Sequence, residues 1–245
     1  MIRKYLMVPA VTLLYVISSI GFAKAASPKE EKTAYVANFN YTPASQAAPG
    51  SGGVTFAIGN VNYQSNSKTL WFSAPQFDNL DRGIKDDLSE LLIAKGFSVR
   101  GPFDSYDLIP YSDKKAIDLY LVTAAELSIT YKDPKAAPGG IASWTYTGNI
   151  EVNGKIHLGL KEIVTGELMW SKSIPFTKFE FPYSVPNQRT FDYNTFPYNL
   201  VMNDVAKGIE KQYPDLMATF WKLIDPEEMG IIKKQCQELK TKKGY

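Results

Sequence analysis

The chain has 245 residues, with 27 Lys and Arg against 25 Asp and Glu, a formal charge of +2. Three of the cations, Arg3, Lys4 and Lys24, fall in the first 26 residues, which hold no acid, so the remainder carries 24 against 25 and is about −1. A nearly neutral remainder lacks the broad positive field of a nucleic-acid binder, and a single cysteine, Cys236, excludes any internal disulfide.

Arg3 and Lys4 precede an apolar run over 5–20 that ends in Ala23, Lys24, Ala25 and Ala26. A charged start, an apolar middle and a small-residue exit describe a secretory signal peptide cleaved after Ala25 or Ala26. The run is shorter than a membrane span and is broken by Pro9, Ser18 and Ser19. The protein is therefore expected in the periplasm, in the outer membrane or at the cell surface. The only cysteine lies far from the signal, so a lipid at the processing site is not expected. Past the signal no apolar run approaches transmembrane length.

Residues 27–53 alternate charge and then become rich in Ala, Ser, Pro and Gly, which reads as a flexible tether. A single domain is expected over 54–245. It opens with a β-rich run over 54–61. Over 77–97, Leu80, Ile84, Leu88, Leu91 and Leu92 recur at three- and four-residue spacing, with acids near the start and Gly96 at the end, predicting an amphipathic helix. A short strand over 97–100 completes a strand, helix, strand unit.

A helical turn is expected within 105–115, and a strand from Ile117 toward Tyr131. The Pro- and Gly-rich stretch 132–140 reads as a turn-rich tip. Alternation over 145–160 and 168–181 predicts antiparallel meander strands. Helical spacing over 198–224, interrupted by Pro214, and a final helix from Pro226 close the chain. The fold class is α+β: a largely antiparallel sheet with helices packed on one face.

Catalytic signatures are sparse. His157 is the only histidine, set between Ile156 and Leu158, and is read as an ordinary strand residue. Ser-x-x-Lys occurs at Ser65/Lys68 and Ser112/Lys115 without the partner motifs of serine acyl transferases. The acid pairs Asp86/Asp87 and Glu227/Glu228 read as solvated charge rather than the converging carboxylates of a glycosidase. No enzyme activity, cofactor or metal site is expected.

The most unusual stretch is 176–198, where Phe179, Phe181, Tyr183, Phe191, Tyr193 and Phe196 are interleaved with Pro182, Pro186 and Pro197. The prolines argue against a regular strand. Tyr183 and Tyr193 are placed to stack on a sugar or a partner, with Arg189 to grip a carboxylate. The alternative, and the favoured reading, is that the Phe side chains form a lid over the domain's own core. Trp144 and Tyr146, beside the 132–140 tip, are a second candidate contact.

The Ala94-Lys95-Gly96-Phe97-Ser98-Val99 helix end, the Asp118-Leu119-Tyr120-Leu121 strand, the Tyr131-Lys132-Asp133-Pro134-Lys135 tip, the Gly166-Glu167 turn and the Gln237-Glu238-Leu239-Lys240 helix resemble the neuraminyllactose-binding hemagglutinin family. That resemblance implies an envelope adhesin, non-catalytic, with a sialylated glycan or another envelope protein as partner. In such proteins a basic segment after the Asp-Pro-Lys tip is proposed to bind sialic acid. Here Ala136, Ala137 and Pro138 follow instead, so only Lys132 and Lys135 carry over. A periplasmic structural or assembly factor that docks another protein is the alternative.

Overall fold

The computed structural model describes residues 35–65, 71–140, 143–188 and 201–245. The signal segment, Arg189, Phe191, Tyr193 and Phe196 lie outside the described residues.

Among the described residues six strands form one mixed sheet: β1 (Thr55–Ser65), β2 (Ser98–Phe103), β3 (Leu119–Gly140), β4 (Ser143–Glu162), β5 (Leu168–Pro175) and β6 (Phe179–Gln188). Their order is β2-β1-β3-β4-β5, with β6 also paired to β4. The β1 pairings with β2 and β3 are parallel, because helix α1 (Leu80–Ala94) carries the chain across between β1 and β2. All the other pairings are antiparallel. A single helical turn, α2 (Tyr111–Lys114), precedes β3, and helices α3 (Met202–Leu223) and α4 (Pro226–Lys243) end the chain.

Alternation decides the two faces. Phe56, Ile58, Leu119, Leu121, Leu127, Ile150, Val152, Ile156, Leu158 and Leu160 point inward and share one core with Leu88 and Leu91 of α1, Met217 and Phe220 of α3, and Met229 and Cys236 of α4. The three long helices therefore contribute to the same face, as expected. The opposite face holds a small satellite cluster around Ala57, Ile109, Ile117, Tyr120 and Ile163, and is otherwise polar along β4.

Gly96 (φ +85) ends the turn after α1 in the left-handed region, where a side chain would be strained. Asp225 caps α4, its carboxylate accepting from the backbone N–H groups of Glu227 and Glu228.

Four local expectations are corrected. The stretch 132–140 is not a loop: β3 runs through it to Gly140, interrupted by a bulge between Lys132 and Lys135. The single strand expected over 168–181 is two, β5 and β6, laid end to end along β4 and separated at 176–178. Prolines do not prevent β6, which among the described residues pairs with β4 alone and so is an edge strand, the position in a sheet that tolerates proline. Pro214 does not interrupt α3, whose flanking Tyr213, Leu216 and Met217 are all buried in the core and hold the helix together.

The described part of the expected tether lies against the body: Ala37 and Phe39 are buried, and Ala47 and Gly52 donate backbone hydrogen bonds to the carbonyls of Ala94 and Gly96.

Candidate functional site

Among the described residues β1 pairs with β3 only as far as Leu127. Beyond that point β3 and β4 continue as a hairpin to Gly140 and Ser143, with β6 along the outer edge of β4. This three-stranded arm holds every described candidate side chain.

The arm's two faces differ in chemistry. Trp144, Tyr146, Gly148, Ile150 and Val152 alternate onto the inner face, and their partners across β6 include Val185, Tyr183, Phe181 and Phe179. Tyr183 is buried at 6 % exposure, Tyr146, Phe179 and Phe181 are half-buried against the core, and Trp144 is 43 % exposed. Phe179 and Phe181 stack at 6.4 Å between ring centroids. The two Phe residues of the expected lid that are described thus pack on the domain's own core.

Lys132 and Lys135 belong to the outer face. In a regular strand, residues three apart point to opposite sides. Lys132 is paired with Asn149 and Lys135 with Thr147, so β3 advances three residues while β4 advances two. The extra residue is a bulge, with Asp133 held at φ +48 ahead of Pro134. Its consequence is that both lysines stand on one face, opposite the aromatic side chains. The described residues among those singled out in the sequence therefore divide into two groups separated by the thickness of the sheet.

Charge on the outer face is organised. Lys132 contacts Glu151 and lies 3.7 Å from Glu180, while Lys178 lies 2.6 Å from Glu151 and 3.3 Å from Glu180. Hydrogen bonds from Lys132 and Lys178 hold the Glu151 carboxyl down to about 2, and those Lys178 makes to Glu151 and Glu180 push its ammonium above the usual lysine value. Glu151, Glu180 and Lys178 were not singled out in the sequence, since only the register aligns them with Lys132.

Next to this quartet lies an open recess of about 390 Å³, lined by Asp133, Lys135, Thr147, Gly148 and Asn149. Among the described residues no carboxylate lies within ion-pairing distance of Lys135. The recess combines an acid, an ammonium, a hydroxyl and an amide, a set able to both donate to and accept from hydroxyl groups.

His157 lies on the outer face of β4, with Ser173 Oγ 2.7 Å from Nδ1 and Glu126 Oε2 3.6 Å from Nε2. A serine-hydrolase triad has the carboxylate on Nδ1 and the serine on Nε2; here the ring is turned the other way. Lys155 lies 3.3 Å from the same Glu126 oxygen, so the group reads as a cross-strand polar ladder.

No protein-family model matches the sequence, and no curated protein matches it. Among solved structures the chain is similar in fold to a Helicobacter pylori protein described as a neuraminyllactose-binding hemagglutinin homolog. The identity is 16 %, over 83 % of this chain and 99 % of that one, with a TM-score of 0.58. The resemblance read from the sequence is thus matched at the level of the fold, α+β with a mixed sheet and two C-terminal helices. Two further matches are remote. The C-terminal domain of LpoB from Salmonella enterica has 11 % identity, 53 % and 84 % coverage and a TM-score of 0.29. PelC from Paraburkholderia phytofirmans has 11 % identity, 68 % and 92 % coverage and a TM-score of 0.25.

Proposed function

We propose that the protein is an exported, non-catalytic envelope protein that binds glycans on the outer face of its β3-β4-β6 arm. The observation that carries this reading is the bulge at Asp133 and Pro134, which sets Lys132 and Lys135 on one face and opens the recess beside Thr147 and Asn149. A bulge in an otherwise continuous hairpin re-aims side chains. Sugar hydroxyls are read by side chains that donate and accept from fixed backbone positions, which a sheet face supplies. The fold shared with a protein described as a homolog of a neuraminyllactose-binding hemagglutinin supports the same direction.

The test is binding of the purified protein to a glycan array, beside a variant carrying Lys135→Ala and Asn149→Ala. Saturable binding that the variant loses supports the reading. Binding that survives both substitutions moves the site elsewhere, and no binding to any glycan refutes it.

A second reading is favoured by Trp144, which is 43 % exposed on the inner face at the end of the arm. Exposed tryptophans anchor protein interfaces. In this reading the arm docks another envelope protein. A photo-crosslinker at Trp144 then captures one defined partner in intact cells; without such a product this reading fails.

A further inference from the structure

We infer that the recess at the bulge takes neutral, hydroxyl-rich sugars in preference to sialylated ones; the inference rests on the glycan-binding reading above and names the ligand class of that same site.

Charge balance on the outer face sets this preference. Of the three lysines on this stretch of the outer face, two are held in ion pairs and the third, Lys135, lines the recess with no carboxylate in ion-pairing range among the described residues. Lys132 and Lys178 are committed to Glu151 and Glu180, four charged side chains that close on one another within 4 Å. Lys135 shares the recess with Asp133. The formal charges of the three lysines and the three carboxylates therefore cancel, and the recess lining itself holds one acid and one ammonium. A sialylated ligand brings a carboxylate of its own, which gains from a site only when an uncompensated cation or several N–H donors meet it. Here Lys135 would attract it while Asp133 repelled it, and recruiting Lys132 or Lys178 would leave Glu151 or Glu180 short of a partner.

Neutral sugars meet no such conflict. Asp133 accepts, Lys135 donates, and Thr147 and Asn149 do both, as ring hydroxyls require. Gly148 contributes bare backbone to the recess. A side chain there would meet the Lys132 carbonyl oxygen at 2.7 Å and the Tyr183 ring at 2.8 Å, so the position is confined to glycine by the packing beneath.

The experiment measures affinities of the purified protein for matched pairs of glycans, each with a neutral terminus and with the same terminus sialylated, at about 50 and about 500 mM NaCl. The neutral member should bind more tightly, its affinity changing less than about twofold over that range, because no net charge is neutralised. Glu151→Gln, which releases Lys132 and Lys178 from one carboxylate, should strengthen binding of the sialylated member about fivefold at low salt, an effect that fades at high salt. Tighter binding of the sialylated members by the unmodified protein, falling steeply with salt, would overturn the inference while leaving glycan binding intact. Absence of all glycan binding would remove the underlying reading and this inference with it.

Discussion

Tyr213 on α3 donates a 2.6 Å hydrogen bond to Asp87 on α1, and both side chains are buried. The bond crosses 126 positions of sequence and joins the two helices beneath the sheet. Burial outweighs the Tyr213 bond and a backbone bond from Tyr41, so the Asp87 carboxyl sits above its usual value, with the neighbouring acids Glu90 and Asp86 adding in the same sense. Removing the donor leaves a buried carboxylate short of a partner. Tyr213→Phe should therefore lower stability by ~1–3 kcal/mol in urea unfolding.

The same carboxyl sets a pH dependence. A group whose folded pKa lies above its unfolded value favours the protonated folded state, so its contribution is present at low pH and is lost as pH rises through the folded pKa. Unfolding free energy measured upward from about pH 4, the ordinary carboxylate range, should show this loss. In Asp87→Asn that component should disappear.

Glu151 acts in the opposite sense. Its carboxyl is held at about 2 against an ordinary 4.5, so its stabilising contribution is present above 4.5 and is lost as pH falls toward 2. Glu151→Gln should flatten the acid limb of the stability profile below pH 4.5. Raised salt should flatten it in the unmodified protein as well, since the pairs are partly exposed.

The arm approaches α3 closely at Phe179 and Gly208. A Cβ built at Gly208 would lie 2.3 Å from the Phe179 ring. Gly208→Ala should therefore destabilise by ~1–3 kcal/mol through overpacking, despite alanine's better helix propensity. Adding Phe179→Leu should recover part of that loss, and a double-mutant cycle measures the coupling.

How far these contacts were legible in the sequence depends on their range. The helix at 80–94 was readable because Leu80, Ile84, Leu88 and Leu91 repeat with the helical period, a local signal. Strand β6 was not, because the proline rule separates strand from non-strand only for paired interiors, and whether Pro182 sits on an edge is a tertiary fact. The Asp133-Pro134 pair looked like a turn, and in the fold the same backbone preference makes a bulge. That one extra residue decides which face Lys135 occupies. Lys132, Lys135, Trp144, Tyr146 and Tyr183 were therefore nameable, but not their division between two faces. The Glu151 and Glu180 partners of Lys132 were equally hidden, since β6 supplies one of them from across the sheet.

The bulge itself can be tested by substitution. Asp133 lies at φ +48, a region that glycine enters without penalty and β-branched residues resist. Asp133→Gly should keep the stability within about 1 kcal/mol and preserve the register, whereas Asp133→Val should cost ~1–2 kcal/mol. Thermal unfolding of the two variants side by side distinguishes them.

The central claim, that ligand is met on the outer face of the arm, is most directly tested with environment-sensitive labels. Cys236 is buried at 1 % exposure and burial pushes its thiol up to about 11, so a cysteine introduced at the surface reacts selectively. Ser184→Cys places a label on the outer face, across from Thr147 and beside the recess, and Trp144→Cys places one on the inner face. Titrating each labelled protein with an array-positive neutral glycan should change the fluorescence of the Ser184→Cys label and leave that at Trp144→Cys unchanged. A response confined to Trp144→Cys would contradict the account and put the contact on the aromatic face.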